Sequence, residues 1–432
     1  MLRIASASLV GTAIEFYDFF VYGTAAALVL GPLFFPTFSP LTGTLAAFGT
    51  FAVGFIARPL GSVLFGHIGD RYGRRPVLVA SLLTTGFATT AVGCLPAYST
   101  IGTAAPVLLL LLRFLQGLGL GGEWGGAVLL TAEHAPAGRR ALWGSFPQMG
   151  PPLGFLLANG TMLTLTAVLS DAQFLAWGWR VPFWAAGVLT VGGLLLRTSL
   201  AETPHFRELA ETGGRAVAPA AEVLRHHWRL LLLTAGGLSV GYAVFYAVTT
   251  WALVYGTEQL GVSRTTMLIL VTAAVGVNGM LTPLAALLGD RFGRRPMCLA
   301  GSTLAAVWMF PFISLLNTGE PLLMFLGSLV ALIALVTMFS VVAAYLPELY
   351  EPRVRCTGAA VGYNLAGLLG GALTPIVATA LSDGVRPPWG VAAWLTGVAL
   401  LSTACFAALP ETCPMPVRAG ASGHTDEEPA PA

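Results

Sequence analysis

Gly69–Pro76 reads GDRYGRRP, and Gly289–Pro296, 220 positions later, reads GDRFGRRP. Only Tyr72 against Phe292 differs, and both are aromatic. Each copy lies between two long apolar segments, so each is a short charged hinge joining two helices. A hinge that occurs twice, with the same helix pair around it, marks two structural repeats.

Composition sets the environment of those helices. The chain is 56% hydrophobic and 10% charged over 432 residues, with a mean hydropathy of +0.77. A soluble domain carries roughly 25% charge. The 52 glycines suit helices that pack closely in a membrane. This is the composition of a polytopic membrane protein. Net charge is +2 and all 22 basic residues are arginine, so there is no nucleic-acid footprint. The five cysteines are scattered without a CxxC, which argues against a disulfide framework, a metal site or a metal cofactor.

A bilayer core of about 30 Å takes about 20 apolar residues per helix. That ruler predicts twelve spans, at 9–35, 45–68, 76–96, 104–134, 141–169, 180–198, 229–257, 264–288, 296–316, 321–348, 355–382 and 389–409. Glu15 and Asp18 interrupt the first run, so it reads as a membrane helix rather than a signal peptide. The polar segment 201–228 is the linker between a six-helix half at 1–200 and another at 229–414, and 415–432 is a disordered tail. Most arginines fall on one side if both termini and the 68–76 loop are cytoplasmic, as the positive-inside rule requires. Two further echoes, EHAPAGRRALWG at 133–144 with ELYEPRVRCTG at 348–358 and AETP at 201–204 with PETCP at 410–414, make the repeat parallel.

Ionisable residues inside spans are costly and functional by default. Glu15, Asp18, Arg58, Arg113 and Glu123 lie well inside, all in the first half. Glu15 and Asp18 share a helix face, with Tyr22, a candidate substrate contact, one turn on. Rise per residue puts Asp18, Arg58 and Glu123 within about two turns of one another and Arg113 nearer the outer third. Arg58-Pro59 approaches a helix end. Three acids against two arginines leave one carboxylate without its own cation, able to load and release a proton near neutral pH. The plainer alternative is a set of ion pairs that lock helices one, two and four together.

The second half offers polarity without charge. Tyr242 and Tyr246 (span seven), Asn278 (span eight), and Tyr363 and Asn364 (span eleven) join Gln148 and Asn159 of span five as candidates to line a central cavity. Interhelical hydrogen bonding is the competing role for each. The hinge residues Gly69, Asp70, Arg71, Gly73, Arg74, Arg75, Asp290, Arg291, Arg294 and Arg295 read as a conformational latch, with aspartates to cap a neighbouring helix and arginines to meet helix carbonyls or anionic lipid. No nucleophile–base pair sits in the spans, so an enzyme is not expected.

The twelve spans with GDRxGRRP after the second and eighth resemble the major facilitator superfamily. GTAIEFYDFFVYGTAAALVLGPLFFP, FAVGFIARPLGSVLFGHIGDRYGRRP and RFLQGLGLGGEWGGAVLL are similar to its metabolite:H+ symporter family, which includes carriers for shikimate, α-ketoglutarate, citrate and proline/betaine. The resemblance implies an all-α major facilitator fold, alternating access, and proton-driven uptake of a small organic acid or zwitterion by a monomer in a bacterial plasma membrane. It makes Arg113, with Gln116 and Gly117, a motif linked with proton transfer. Glu15, Asp18 and Glu123 become proton carriers, and Arg58 or Arg113 the partner of a substrate carboxylate. A short N-terminus and the lack of a C-terminal coiled coil argue against osmosensing. Proton antiport on the same fold and a transporter-like membrane sensor are the alternatives.

Overall fold

The computed structural model describes residues 2–72, 74–122, 128, 131, 135–136, 138–198, 219–351 and 354–413, with the side chains of 2–4, 7, 66–78, 196–198, 219–220 and 356 left aside. The twelve-helix, two-half reading holds. The membrane helices are α1 (2–34), α2 (Pro40–Tyr72), α3 (Arg74–Cys94), α4 (Ala104–Gly121), α5 (Arg140–Val168), α6 (Val181–Thr198), α7 (Trp228–Gln259), α8 (Arg264–Phe292), α9 (Arg294–Leu316), α10 (Pro321–Leu349), α11 (355–382) and α12 (Trp389–Ala408). Among the described residues ten segments are long and apolar enough to cross a membrane, and α3 and α6 complete the set.

The helix starts follow from local chemistry. Ser39 Oγ accepts from Thr42 N–H ahead of α2 and Ser263 Oγ from Thr266 N–H ahead of α8, each satisfying a donor the first turn leaves free. Pro321 opens α10, where its missing N–H costs nothing. In the second hinge Gly293 alone separates α8 from α9, at φ +103°, a conformation that only glycine takes without strain. Pro147, Pro151 and Pro152 flank the break in α5 at Met149.

Packing repeats the sequence duplication. In the first half α1 packs on α5, α2 on α4 and α3 on α6. In the second, α7 packs on α11, α8 on α10 and α9 on α12. Glycine carries equivalent contacts in each half. A Cβ on Gly154 of α5 would fall 2.6 Å from the Ala13 carbonyl of α1, and one on Gly370 of α11 would fall 2.0 Å from the Ser239 carbonyl of α7. Between the halves α5 meets α8 and α10, while α2 meets α11.

Two expectations are corrected. Arg58-Pro59 is not near a helix end, because α2 runs unbroken through Pro59 to Tyr72. Arg294 does not reach for lipid but takes the other expected role, its Nη1 donating to the helix carbonyl of Gly289 at 2.9 Å. It is 2% exposed, paired with Asp290 at 3.1 Å and Glu348 at 3.6 Å.

Candidate functional site

Asp18 stands apart among the buried ionisable residues that are described. It is 0% exposed, and neither carboxylate oxygen has a hydrogen-bond partner or ion pair among the described residues. Its backbone carbonyl accepts from Gln116 Nε2 of α4 at 3.1 Å, and the same nitrogen donates to Thr89 Oγ1 of α3 at 2.7 Å. The Thr89 hydroxyl in turn donates to the Thr85 carbonyl at 2.8 Å. Glu15, one turn earlier on α1, is also buried.

Arg113 is held in the same knot by the other end of Gln116, donating from Nη1 to Oε1. Its Nε and Nη2 have no hydrogen-bond partner. Aromatic rings surround it instead, with Tyr22 at 4.1 Å, Phe19 at 4.4 Å and Phe51 at 4.9 Å from the guanidinium carbon. Arg58 shares the Phe19 ring at 4.1 Å and meets Phe55 at 4.9 Å. Cation–π contacts of this desolvated kind are worth about 2 kcal/mol. The two arginines therefore lie together on one ring, where rise per residue had set them at different depths.

The central cavity lies beside this cluster. Phe16 and Phe20 of α1, Gln148 of α5, Tyr242, Phe245 and Tyr246 of α7, Asn278 of α8, Phe339 and Ser340 of α10, and Tyr363 of α11 line it, and the lining carries no charged residue. Tyr246 divides the cavity from the charges, its ring packing on Phe19 at 6.3 Å and Phe55 at 5.5 Å. Gln148 Nε2 donates to the Phe339 carbonyl at 3.1 Å, bridging the halves. Asn278 Nδ2 donates to the Leu332 carbonyl at 2.9 Å. The Tyr242 ring packs edge-on against Tyr363 at 5.3 Å.

Of the residues expected to contact substrate, Gln148, Tyr242, Tyr246, Asn278 and Tyr363 reach the cavity. The others do not. Tyr22 bonds Thr50 at 2.5 Å within the first half. Asn159 accepts from Thr24 at 2.7 Å and spans to Thr272 at 3.4 Å. Asn364 donates to Ser62 Oγ at 2.7 Å, joining α11 to α2. Arg58 and Arg113 stay behind Tyr246. Glu123 and the side chains of the first hinge (Asp70, Arg71, Arg74, Arg75), with Gly73, lie outside the described residues. Sequence reasoning missed the α10 wall, whose Phe339 and Ser340 sit in an apolar run with no charge to mark them.

At the arginine-rich face the second hinge is a built latch. The Asp290 carboxylate accepts from the Ala141 and Leu142 amides, both at 2.9 Å, capping the start of α5 across the interface between halves. Glu348 meets Arg140 at 3.8 Å and accepts from Thr412 at 2.6 Å. Glu411 accepts from the Arg294 and Arg295 amides, both at 3.0 Å, capping α9. Arg295 also donates to the Phe406 carbonyl at 3.2 Å, and Arg291 stacks beside Phe292. Glu348 and Glu411 were visible in the sequence only as members of repeated motifs.

Comparison with known proteins bears on what this architecture is for. The family model "Sugar (and other) transporter" matches residues 4–230 and "Major Facilitator Superfamily" matches 252–429. The chain belongs to the major facilitator superfamily. An inner membrane metabolite transport protein of Escherichia coli is 46% identical, covering 87% of each chain. The shikimate transporter of the same organism is 38% identical over 93% of this chain and 92% of its own. A solved D-xylose-proton symporter superposes with a TM-score of 0.75 at 20% identity, covering 95% of this chain and 98% of that one, a likeness of fold. This facilitator is thus a multi-pass inner-membrane transporter rather than an enzyme. Among its described residues no three His, Cys, Asp or Glu side chains are grouped to hold a metal ion.

Proposed function

We propose that this transporter imports a small organic acid or zwitterionic metabolite by proton symport. The observation that carries the reading is Asp18, fully buried and without a partner, one amide away from an arginine with two unused nitrogens. A bare carboxylate in such a place is expensive, so the arrangement suits an uncharged acid. Arg113 is then free to swing toward a substrate carboxylate entering past Tyr246. When Asp18 loses its proton it competes for the same cation and the substrate is released. Proton and substrate therefore bind together, which is the logic of symport. Shikimate and proline/betaine carriers among the relatives support a metabolite of that size and polarity.

The two halves, 1–200 and 229–414, would rock about the cavity, with the linker 201–228, the tail 415–432 and both termini on the cytoplasmic face that carries the arginines. A monomer suffices, since the cavity is complete within one chain.

The test is substrate-triggered pH change outside proteoliposomes across shikimate, dicarboxylates, citrate, proline and betaine. External alkalinisation with one compound is the expected result, and acidification would mean antiport. Asp18→Asn, which mimics the protonated acid, should abolish uphill accumulation while keeping substrate exchange between the two sides. Full accumulation in that variant would sink the assignment.

A further inference from the structure

Directly before α7 the chain forms one further helix, at Pro219–His226. Val223 anchors it. That side chain is fully buried, in a small apolar cluster with Leu231 of α7 and with Val354 and Val361 around the start of α11. The helix therefore packs on the second half, and it runs into α7 through a bend at His227. Its remaining faces are bare. Leu224 is 55% exposed, and Trp228, the first residue of α7, is 48% exposed. Arg225, His226 and Arg229 are exposed beside them, and the Arg229 guanidinium carbon lies 5.3 Å from the Trp228 ring.

Chemistry narrows what covers this face. Glu222 is the one acid of the helix. Among the described residues neither Arg225 nor Arg229 has an acid within ion-pair distance. Two such arginines beside a leucine and a tryptophan match a partner that is anionic at one end and apolar at the other. A free phosphate would leave Leu224 and Trp228 in water, and a purely apolar partner would leave the arginines without a counterion. The bilayer offers both properties at this depth. Leu232, one turn into the membrane helix α7, is 57% exposed, which in a membrane means contact with lipid. Trp228 then stands where hydrocarbon gives way to headgroups, the level at which amphipathic rings and arginines settle. Leu224 extends the apolar surface one turn further, as on an interfacial helix. We propose that this helix and the start of α7 dock an anionic phospholipid, its headgroup on Arg225 and Arg229 and an acyl chain along Leu224 and Trp228. Because the helix is seated on α7 and α11, the lipid travels with the second half.

The surface does not depend on the transport reading and is tested without it, on the full chain in nanodiscs. Leu224→Cys, in a background free of the five cysteines, carries an apolar fluorophore in place of the leucine. Chain-brominated phosphatidylglycerol should quench it more strongly than chain-brominated phosphatidylcholine at the same mole fraction. Arg225→Gln with Arg229→Gln, both exposed and outside the cavity, should weaken the apparent affinity for phosphatidylglycerol roughly fivefold per arginine. Arg386→Gln, exposed at the opposite end of the membrane helices, should leave it unchanged. Absence of quenching by either lipid would put this face in water or under a protein, and overturns the proposal. Equal quenching by the two lipids, or a preference that survives the double variant, overturns it as well.

Discussion

Gln116 is the residue on which the buried charges depend. It accepts from Arg113 with its oxygen and donates to the Asp18 carbonyl and Thr89 with its nitrogen, tying α1, α3 and α4. Gln116→Leu keeps the volume but removes the one side-chain acceptor of Arg113 among the described residues, a loss of about 2–3 kcal/mol for a buried charged donor. The expected result is a lower thermal midpoint together with impaired transport. Arg113→Lys should not substitute, because an ammonium cannot hold Gln116 and spread over three rings at once. A variant of either kind with wild-type transport would remove Arg113 and Gln116 from the mechanism. That buried charges exist was legible in the sequence, since Asp18, Arg58 and Arg113 break apolar runs. What they face was not. Phe19, shared by both arginines, looks like any other apolar position of α1, and only helix rotation brings its ring against two guanidinium groups.

Between elements the decisive surface is that of α2 on α4, which sets Arg58 and Arg113 on a common ring. It is made by glycine. A Cβ on Gly117 would fall 2.2 Å from the Gly54 carbonyl, one on Gly61 would fall 2.0 Å from the Leu118 carbonyl, and one on Gly121 would fall 2.1 Å from the Arg58 carbonyl. Backbone atoms cannot move aside as a side-chain tip can, so a methyl group there forces the helices apart at about 1–3 kcal/mol or more. Gly117→Ala should therefore lower the thermal midpoint by several degrees and weaken transport. Gly160→Ala on α5, with open space around it, should do neither. Equal stability of the two variants would show that the α2–α4 contact is not close-packed. The glycine run of α4 announced this crossing in the sequence, because small residues are what tight membrane packing needs. The cavity wall on α10 announced nothing, since lipid-facing and cavity-facing apolar residues are written in the same letters.

Across the whole molecule, duplication yields a fold with one shared hinge chemistry and an unequal division of labour. Buried acids and arginines of the first half meet an uncharged aromatic wall from the second, so neither half holds a complete site. On the proposed alternating access, motion of one half against the other would break the contacts that join the halves at the arginine-rich face. Asp290 is the foremost of these, because its carboxylate holds the second and third amides of α5, those of Ala141 and Leu142, from the opposite half. Charge at a helix start is worth up to about 2 kcal/mol when partly buried, and Glu348 adds a second tie across the halves by meeting Arg140 at 3.8 Å, while Arg294 holds both acids within the second half. Asp290→Ala removes the cap and leaves Arg294 with Glu348 as its acidic partner among the described residues. The population should shift toward a state open on this face. Spin labels at the exposed positions Arg139 and Glu351, in a background free of the five cysteines, would read this as a longer distance distribution. A distribution unchanged from the parent would mean that α5 and α8 are held by packing and the aspartate does not latch them.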